Sequence, residues 1–325
     1  MKSLVTGGAG FIGSHLCERL LSEGDSVIVV DDLSTGSRRN LSNIEHNRRL
    51  QFFQGSVTDR ELVARCVSEC DRVFHLAAAV GVKLVIESPL HSLIVNTLGA
   101  HYVLAEAAAR GKKVFIASSS EIYGKSERER FKEEDDRIIG STTISRWGYS
   151  TSKALDELLA FAYSREKGLP AVVGRFFNVC GPRQVGQYGM VVPRFVTAAL
   201  RGEPIPVYSD GQQTRSFMDV EDAIEVTLRL MADPSCEGDV FNVGSGEKVT
   251  ILELAEKVKR LTGSRSPIQF IPYDRAYDQG FEDMRYRVPD ISKLQATTGF
   301  TPRYGIDEIL RRTIEYLKKE MANEQ

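Results

Sequence analysis

An α/β protein with a doubly wound parallel sheet and a smaller mixed α/β region is what this chain predicts, and three observations predict it. Apolar strand-like runs alternate with helix-like stretches over the first half. The first of these runs enters a glycine turn directly. After Pro182 the alternation gives way to short elements among scattered Gly and Pro. Alternation of this kind indicates a parallel sheet covered by helices on both faces.

Taken in order, strand-like runs fall at Ser3 to Val5, Val27 to Val30, Leu50 to Phe53, Arg72 to Leu76, Lys113 to Ala117 and Ala171 to Arg175. A helical run from Phe11 to Leu21 follows the glycine turn. Two longer helices are predicted at Ser92 to Arg110 and Tyr149 to Lys167, the second stopping at Gly168 with Pro170 beyond. Segment 125–137 is mostly charged, which reads as a solvated loop or part of a lid. Toward the end, Thr250-x-x-Glu253 forms a capping-box start for a helix to Leu261, and Asp307 to Lys319 is amphipathic. The division expected is a sheet domain over 1–175 plus about 217–243, and a second domain over about 176–216 plus 244–325.

Residues 4–13 read Leu-Val-Thr-Gly-Gly-Ala-Gly-Phe-Ile-Gly. Gly7, Gly10 and Gly13 fit one glycine spacing and Gly8, Gly10 and Gly13 another. Glycine lets the backbone take positive φ and approach a pyrophosphate, which then sits on the positive end of the following helix dipole. The next strand ends in Asp31, at the distance where dinucleotide folds place the acid for the adenosine ribose hydroxyls. These residues predict a Rossmann-like domain binding NAD. A carboxylate at 31 would repel a 2′-phosphate, although Arg38 and Arg39 nearby keep NADP open.

The bulk properties narrow the partners. Forty-two Lys and Arg against 44 Asp and Glu leave a net charge of −2, with no basic field for nucleic acid or anionic membrane. Five cysteines form no Cys-x-x-Cys pair, and five histidines make no metal-binding motif. No apolar stretch is long enough to span a bilayer, and the chain enters its first strand at once. A cytoplasmic protein is predicted, with no bound metal.

The chemistry centres on Ser118-Ser119-Ser120-Glu121 after the fifth strand and on Tyr149-Ser-Thr-Ser-Lys153 at the start of a long helix. Tyr and Lys four apart share a helix face, so the ammonium of Lys153 favours a phenolate at Tyr149. Such a phenolate takes an alcohol proton while hydride leaves the same carbon for NAD+, and Ser119 hydrogen-bonds the same oxygen. Tyr163 and Lys167 repeat the spacing on the same helix. They lie about 21 Å further along it, too far to serve the same site, and read as a surface pair.

Together these motifs make the chain resemble the extended short-chain dehydrogenase/reductases that modify nucleotide sugars. The resemblance spans nearly the whole length. It includes Val-Phe-His-Leu-Ala-Ala at 73–78, Asn96, Arg-Phe-Phe-Asn-Val-Cys-Gly-Pro at 175–182, Gln-Thr-Arg-Ser-Phe at 213–217 and Arg287-Val-Pro-Asp290. It implies cofactor contacts at Phe11, Ile12, Ser56, Val57, Leu76, Ala77, Ala78, Asn96 and Lys153, besides the glycines and Asp31. It implies substrate contacts at Asn178, Val192, Tyr208, Arg215 and Arg287, with the arginines on the diphosphate and Tyr208 against the base. One departure is Gly55-Ser56-Val57, where the family commonly has an aspartate for the adenine amine; a hydroxyl is a poorer acceptor. A homodimer through the two long helices is also implied.

Glu121 stands where plain 4-epimerases of this family carry an uncharged residue, whereas decarboxylases and dehydratases place a glutamate there to manage a proton at C5. The stretch from Asp136 to Lys153, with Arg146 three residues before Tyr149, looks most like the UDP-glucuronate decarboxylases. Arg146 would steer a substrate carboxylate or hold the site's charge balance; its alternative is a pair with Glu133, Glu134 or Asp135. A 4,6-dehydratase usually has an acid where this chain has Ser120. The expected activity is therefore decarboxylation of UDP-glucuronate, with a UDP-sugar 4-epimerase as rival, then a 4,6-dehydratase, and a non-catalytic NAD-binding scaffold as the alternative of another class.

Overall fold

The computed structural model describes residues 1–186, 189–273 and 284–323. Seven parallel strands form the main sheet: β1 (Lys2–Thr6), β2 (Ser26–Asp31), β3 (Leu50–Gln54), β4 (Arg72–His75), β5 (Lys113–Ser119), β6 (Ala171–Phe176) and β11 (Asp239–Val243). Their order is β11-β6-β5-β4-β1-β2-β3. The order reverses beside β1, which pairs with β2 on one side and β4 on the other. In open α/β sheets a crevice opens at such a switch point, outside the carboxyl ends of the strands. Six of the seven strands were legible as apolar runs; Asp239–Val243 was not, because its Asp and Asn interrupt the pattern.

Strands buried on both faces alternate their side chains between two cores. Leu4, Ile28, Val73 and Val114 face α2 (Arg60–Ser68), α4 (Pro89–Ala109) and α5 (Arg146–Lys167), with the short α3 (Val82–Glu87) preceding α4 in the chain. Val5, Val29, Phe74 and Phe115 face α1 (Phe11–Ser22) and α7 (Val220–Ala232). Each fully buried side chain of this kind contributes about 1.5–3 kcal/mol. Helix α5 ends where Gly168 takes φ +65°, a left-handed position that glycine fills without strain.

Short strands complete the rest: β7 (Val179–Cys180), β8 (Ile205–Tyr208), β9 (Thr214–Arg215), β10 (Met218–Asp219), β12 (Val249–Thr250), β13 (Ile268–Ile271) and β14 (Tyr286–Arg287). A third core joins α6 (Val191–Arg201), α8 (Ile251–Thr262) and the helix Ile306–Asn323 through Phe195, Val196, Leu254, Val258, Ile309 and Leu310. The capping box of α8 forms as predicted, Thr250 accepting from the Glu253 N–H and Glu253 from the Thr250 N–H.

The charged segment 125–137 is neither a plain solvated loop nor part of the cleft wall. Phe131 is wholly buried and stacks on Tyr123, with ring centroids 4.7 Å apart. Its N–H bonds to Val288 O, and Glu133 accepts from the Asn242 N–H. One aromatic among the charges was enough to anchor the segment.

Candidate active site

A single continuous cleft runs from the glycine turn to β14. It is lined by Gly7, Gly10, Phe11, Ile12, Gly13, Asp31, Val57 and Leu76–Ala78 at one end. Ser119, Ser120, Glu121, Arg146, Tyr149 and Lys153 line its middle, and Asn178, Val192, Tyr208, Arg215 and Arg287 line the other end. Residues remote in sequence meet here because β1, β4, β5 and β6 all end at this edge of the sheet.

The glycine turn forms a cradle that side chains would fill. Gly7 has φ +71°, and a Cβ there would stand 2.8 Å from Ala77 N, while one on Gly13 would overlap Gly7 O. Gly8 serves packing instead, its missing Cβ making room for Val29 and Cys17. Helix α1 starts at Gly10 with no capping side chain and no acid in its first turn, so its positive end is open to an anion. At the end of β2 Asp31 accepts from the Ala9 N–H at 2.9 Å and the Leu33 N–H at 2.8 Å. Burial raises its carboxyl pKa while those N–H groups hold it down. The carboxylate retains lone pairs for ribose hydroxyls. Arg38 stacks on Phe52 at 4.5 Å and Arg39 bonds Glu320 at 3.0 Å. Neither lines the cleft, so the residues present fit NAD and offer no 2′-phosphate partner from these arginines.

Two expected cofactor residues stand elsewhere. Ser56 does not line the cleft; its hydroxyl is bonded to Thr58 Oγ1 at 2.8 Å. A threonine two residues on captures it in the turn before α2. Asn96 is buried behind the wall, accepting from the Ala79 N–H at 2.8 Å and donating to Ser152 Oγ at 3.2 Å. It fastens the segment after β4 to α5, and so shapes the cleft wall.

Around Tyr149 the helix start does what the spacing implied, with one addition. Burial raises the phenol's pKa, and the Lys153 ammonium and the Ser119 hydroxyl act against that rise. Lys153 itself donates to Asp156 Oδ2 at 2.8 Å, both side chains being buried. Burial opposes the ammonium, but Asp156, Tyr149 and Glu157 outweigh it and the Lys153 pKa is raised. One turn on, Glu157 accepts from Arg175 Nη2 at 2.8 Å and from the Ser118 hydroxyl, which clamps α5 to β5 and β6. Tyr163 packs on α4, 3.4 Å from His101 Nδ1. It reads differently from the surface pair expected with Lys167 because α4 covers that face.

Glu121 lies between two guanidiniums. Arg287 Nη1 donates to its Oε1 and Arg146 Nη2 to its Oε2 at 3.4 Å. Arg287 also donates to Asn178 Oδ1. The acidic loop has other partners, Glu133 with Asn242 and Asp135 with Arg128. Further along, Arg194 donates to Tyr208 Oη at 2.8 Å with its guanidinium 4.6 Å above that ring. Arg215 Nη1 is bonded to the carbonyls of Thr214 and Met284. Sequence reasoning missed Arg194, Asp156 and Glu157. The last two carried a signal, since they stand three and four residues after Lys153 on the face that bears it.

A nucleotide cradle at a switch point, opening onto a Ser-Tyr-Lys set at the start of a long helix, defines an extended short-chain dehydrogenase/reductase. The chain belongs to the family described as GDP-mannose 4,6 dehydratase, which it matches over residues 4–313. It is 39% identical over 319 residues to a UDP-N-acetyl-alpha-D-glucosaminuronate decarboxylase of Bacillus cytotoxicus, covering 98% of each chain. It is 34% identical to UDP-glucuronic acid decarboxylase 1 of Danio rerio, covering 99% of this chain and 74% of that one. Among solved structures it resembles the UDP-glucuronic acid 4-epimerase of Bacillus cereus in complex with UDP-glucuronic acid and NAD, with a TM-score of 0.89 and 26% identity, covering 98% of this chain and 100% of that one.

Proposed function

We propose that this protein is an NAD-dependent decarboxylase of UDP-glucuronate, acting through transient oxidation of the sugar at C4. The observation that carries the reading is Glu121 held between Arg146 and Arg287 beside Tyr149. Epimerisation at C4 has no use for an acid at that point. Two guanidiniums around one carboxylate also leave a positive charge to meet a substrate carboxylate or phosphate. The relatives of Bacillus cytotoxicus and Danio rerio, both named for decarboxylation of a UDP-hexuronate, support the same class.

NAD held in this cradle would supply an acceptor for the C4 hydride and the same hydride for its return, with no net consumption. The chain's own residues do the rest. Gly7, Gly10, Gly13 and Asp31 hold the dinucleotide, and Asn178, Val192, Tyr208, Arg215 and Arg287 hold the nucleoside diphosphate. Tyr149 takes the C4 hydroxyl proton, Lys153 favours the phenolate, and Ser119 and Ser120 orient the oxygen. The C4 ketone is then β to the carboxylate, the C5–C6 bond breaks, and carbon dioxide leaves its electron pair as an enolate. A proton from water, oriented or relayed by Glu121, goes to C5, and Tyr149 returns its proton as C4 is reduced. Arg146 and Arg287 fix the position of Glu121 throughout.

The test is mass analysis of products after incubation with UDP-glucuronate, UDP-N-acetylglucosaminuronate and UDP-glucose. A UDP-pentose with released carbon dioxide is expected from UDP-glucuronate. Conversion confined to the N-acetylated substrate moves the specificity to that sugar, a reading favoured by the 39% identical relative. A C4 epimer with the carboxylate intact overturns decarboxylation.

The same reading divides the chain into a cofactor part, 1–175 plus about 217–243, and a substrate part, about 176–216 plus 244–325. It also includes a homodimer. Leu90, Leu93, Ile94 and Leu98 on α4 and Leu155 and Leu158 on α5 are all exposed, and α4 and α5 are adjacent. A contiguous apolar face of this kind suits a second copy of the chain. No helix among the described residues is long and apolar enough to cross a membrane. All five cysteines are free and buried, which suits the cytoplasm.

A further inference from the structure

Helix α5 carries a buried carboxylate that the chemistry above does not use. Glu157 is accounted for by Arg175 and Ser118, but Asp156 is not. Its side chain is fully enclosed, Oδ2 accepts from Lys153 Nζ at 2.8 Å, and Oδ1 has no hydrogen-bond partner among the described residues. Positions three apart are neighbours on a helix, so one turn of backbone sets this contact. A dry carboxylate with one oxygen unengaged is costly. Its charge is met by direct hydrogen bonding from one cation, the ammonium that faces Tyr149.

We propose that Asp156 is a positioning residue for proton transfer: it ties down the Lys153 ammonium and, as a fixed negative charge, takes up part of the field that would otherwise act on Tyr149 Oη. The proposal rests on the Tyr149 and Lys153 roles given above. The other charged groups facing the dyad are each paired elsewhere or held neutral. On α5, Glu157 is neutralised by Arg175 of β6. From β4, His75 is buried and held neutral. From the turn after β5, Glu121 is engaged by Arg146 and Arg287. Burial raises the pKa of the Tyr149 phenol, and Glu121 and then Asp156 add to that rise against Lys153 and Ser119. Asp156 thus holds the ammonium in place while keeping the tyrosine protonated until a substrate hydroxyl arrives.

The experiment titrates Tyr149 directly, in NAD-loaded protein carrying tyrosine labelled with carbon-13 at Cζ; Tyr149→Phe identifies the resonance. Asp156→Asn removes the charge with little change of volume, and the phenol midpoint is expected to fall by about half to one pH unit. Asp156→Glu is expected to bring it back toward the parent value. An unmoved midpoint overturns the proposal even if turnover drops, because it marks a packing role only. An upward move also overturns it, since the net effect of the carboxylate on Tyr149 is then to hold the proton on Lys153 and not to offset the field of the ammonium. Should the Asn variant not fold, Asp156→Ser is read the same way. No sugar is added, so failure to decarboxylate UDP-glucuronate and failure of this proposal are separate results.

Discussion

His75 closes β4 directly beneath the cleft, and replacing it with asparagine should remove a pH dependence whose size the geometry sets. Its Nδ1 lies 2.8 Å from Thr6 Oγ1, which also accepts from the Ala77 N–H at 3.3 Å, and its Nε2 has no partner among the described residues. From either tautomer, the imidazolium would carry an Nε2–H without an acceptor in a dry site. Burial, and then the Lys153 ammonium, push its pKa down from 6.5 to about 3. A base with a depressed folded pKa stays neutral in the native state while the unfolded chain gains a proton. Its contribution to stability is therefore complete above about pH 6.5 and is lost as pH falls, at about 1.4 kcal/mol per pH unit, until about pH 3. Between about pH 7.5 and 5.0 the loss is about 2 kcal/mol. Urea unfolding of the parent and His75→Asn proteins across that range isolates the term, since every other group cancels in the difference. The gap between the two proteins should change by about 2 kcal/mol in the direction that favours the variant at acid pH. A constant gap would refute the claim that this imidazole is forced to stay neutral.

Three further outcomes are expected. Gly13→Ala drives a Cβ into Gly7 O, so NAD affinity measured by calorimetry should fall at least tenfold and stability by about 1–3 kcal/mol; unchanged affinity would mean that the cradle is not where the pyrophosphate lies. Tyr149→Phe should cut turnover by about 10²- to 10⁴-fold while calorimetric NAD binding is retained, and near-parent turnover would remove the phenol from the chemistry. Leu158→Asp puts a charge on the exposed apolar face of α5, so light scattering should show a shift from dimer to monomer; a parent protein that is already monomeric would end the homodimer reading.

Much of the fold and part of the site were legible because they depend on neighbours close in sequence. The glycine turn, the acid closing β2, the α8 capping box and the four-residue step from Tyr149 to Lys153 are local patterns, each set by backbone geometry within a turn or two. The parallel sheet followed from alternation, since a strand covered on both faces has to be apolar on both. What local pattern missed involved partners from afar. The pairing of the Ser56 hydroxyl with Thr58, and the bracing of Ala79 and Ser152 by Asn96, were not legible in the sequence. Phe131 was hidden among charges, although Tyr123 and Val288 make it a core residue.

The amino-acid order alone therefore determined the doubly wound sheet, the glycine turn and the placing of Tyr149 and Lys153 on one helix face, because periodicity and glycine conformations are properties of short stretches of chain. Only the tertiary structure decided which charges face one another. Glu121 meets Arg287 across 166 positions, and Asp156, one helical turn from Lys153, becomes significant only because folding excludes water from both. Electrostatic coupling grows as solvent is removed, and exclusion of solvent is set by packing among distant segments.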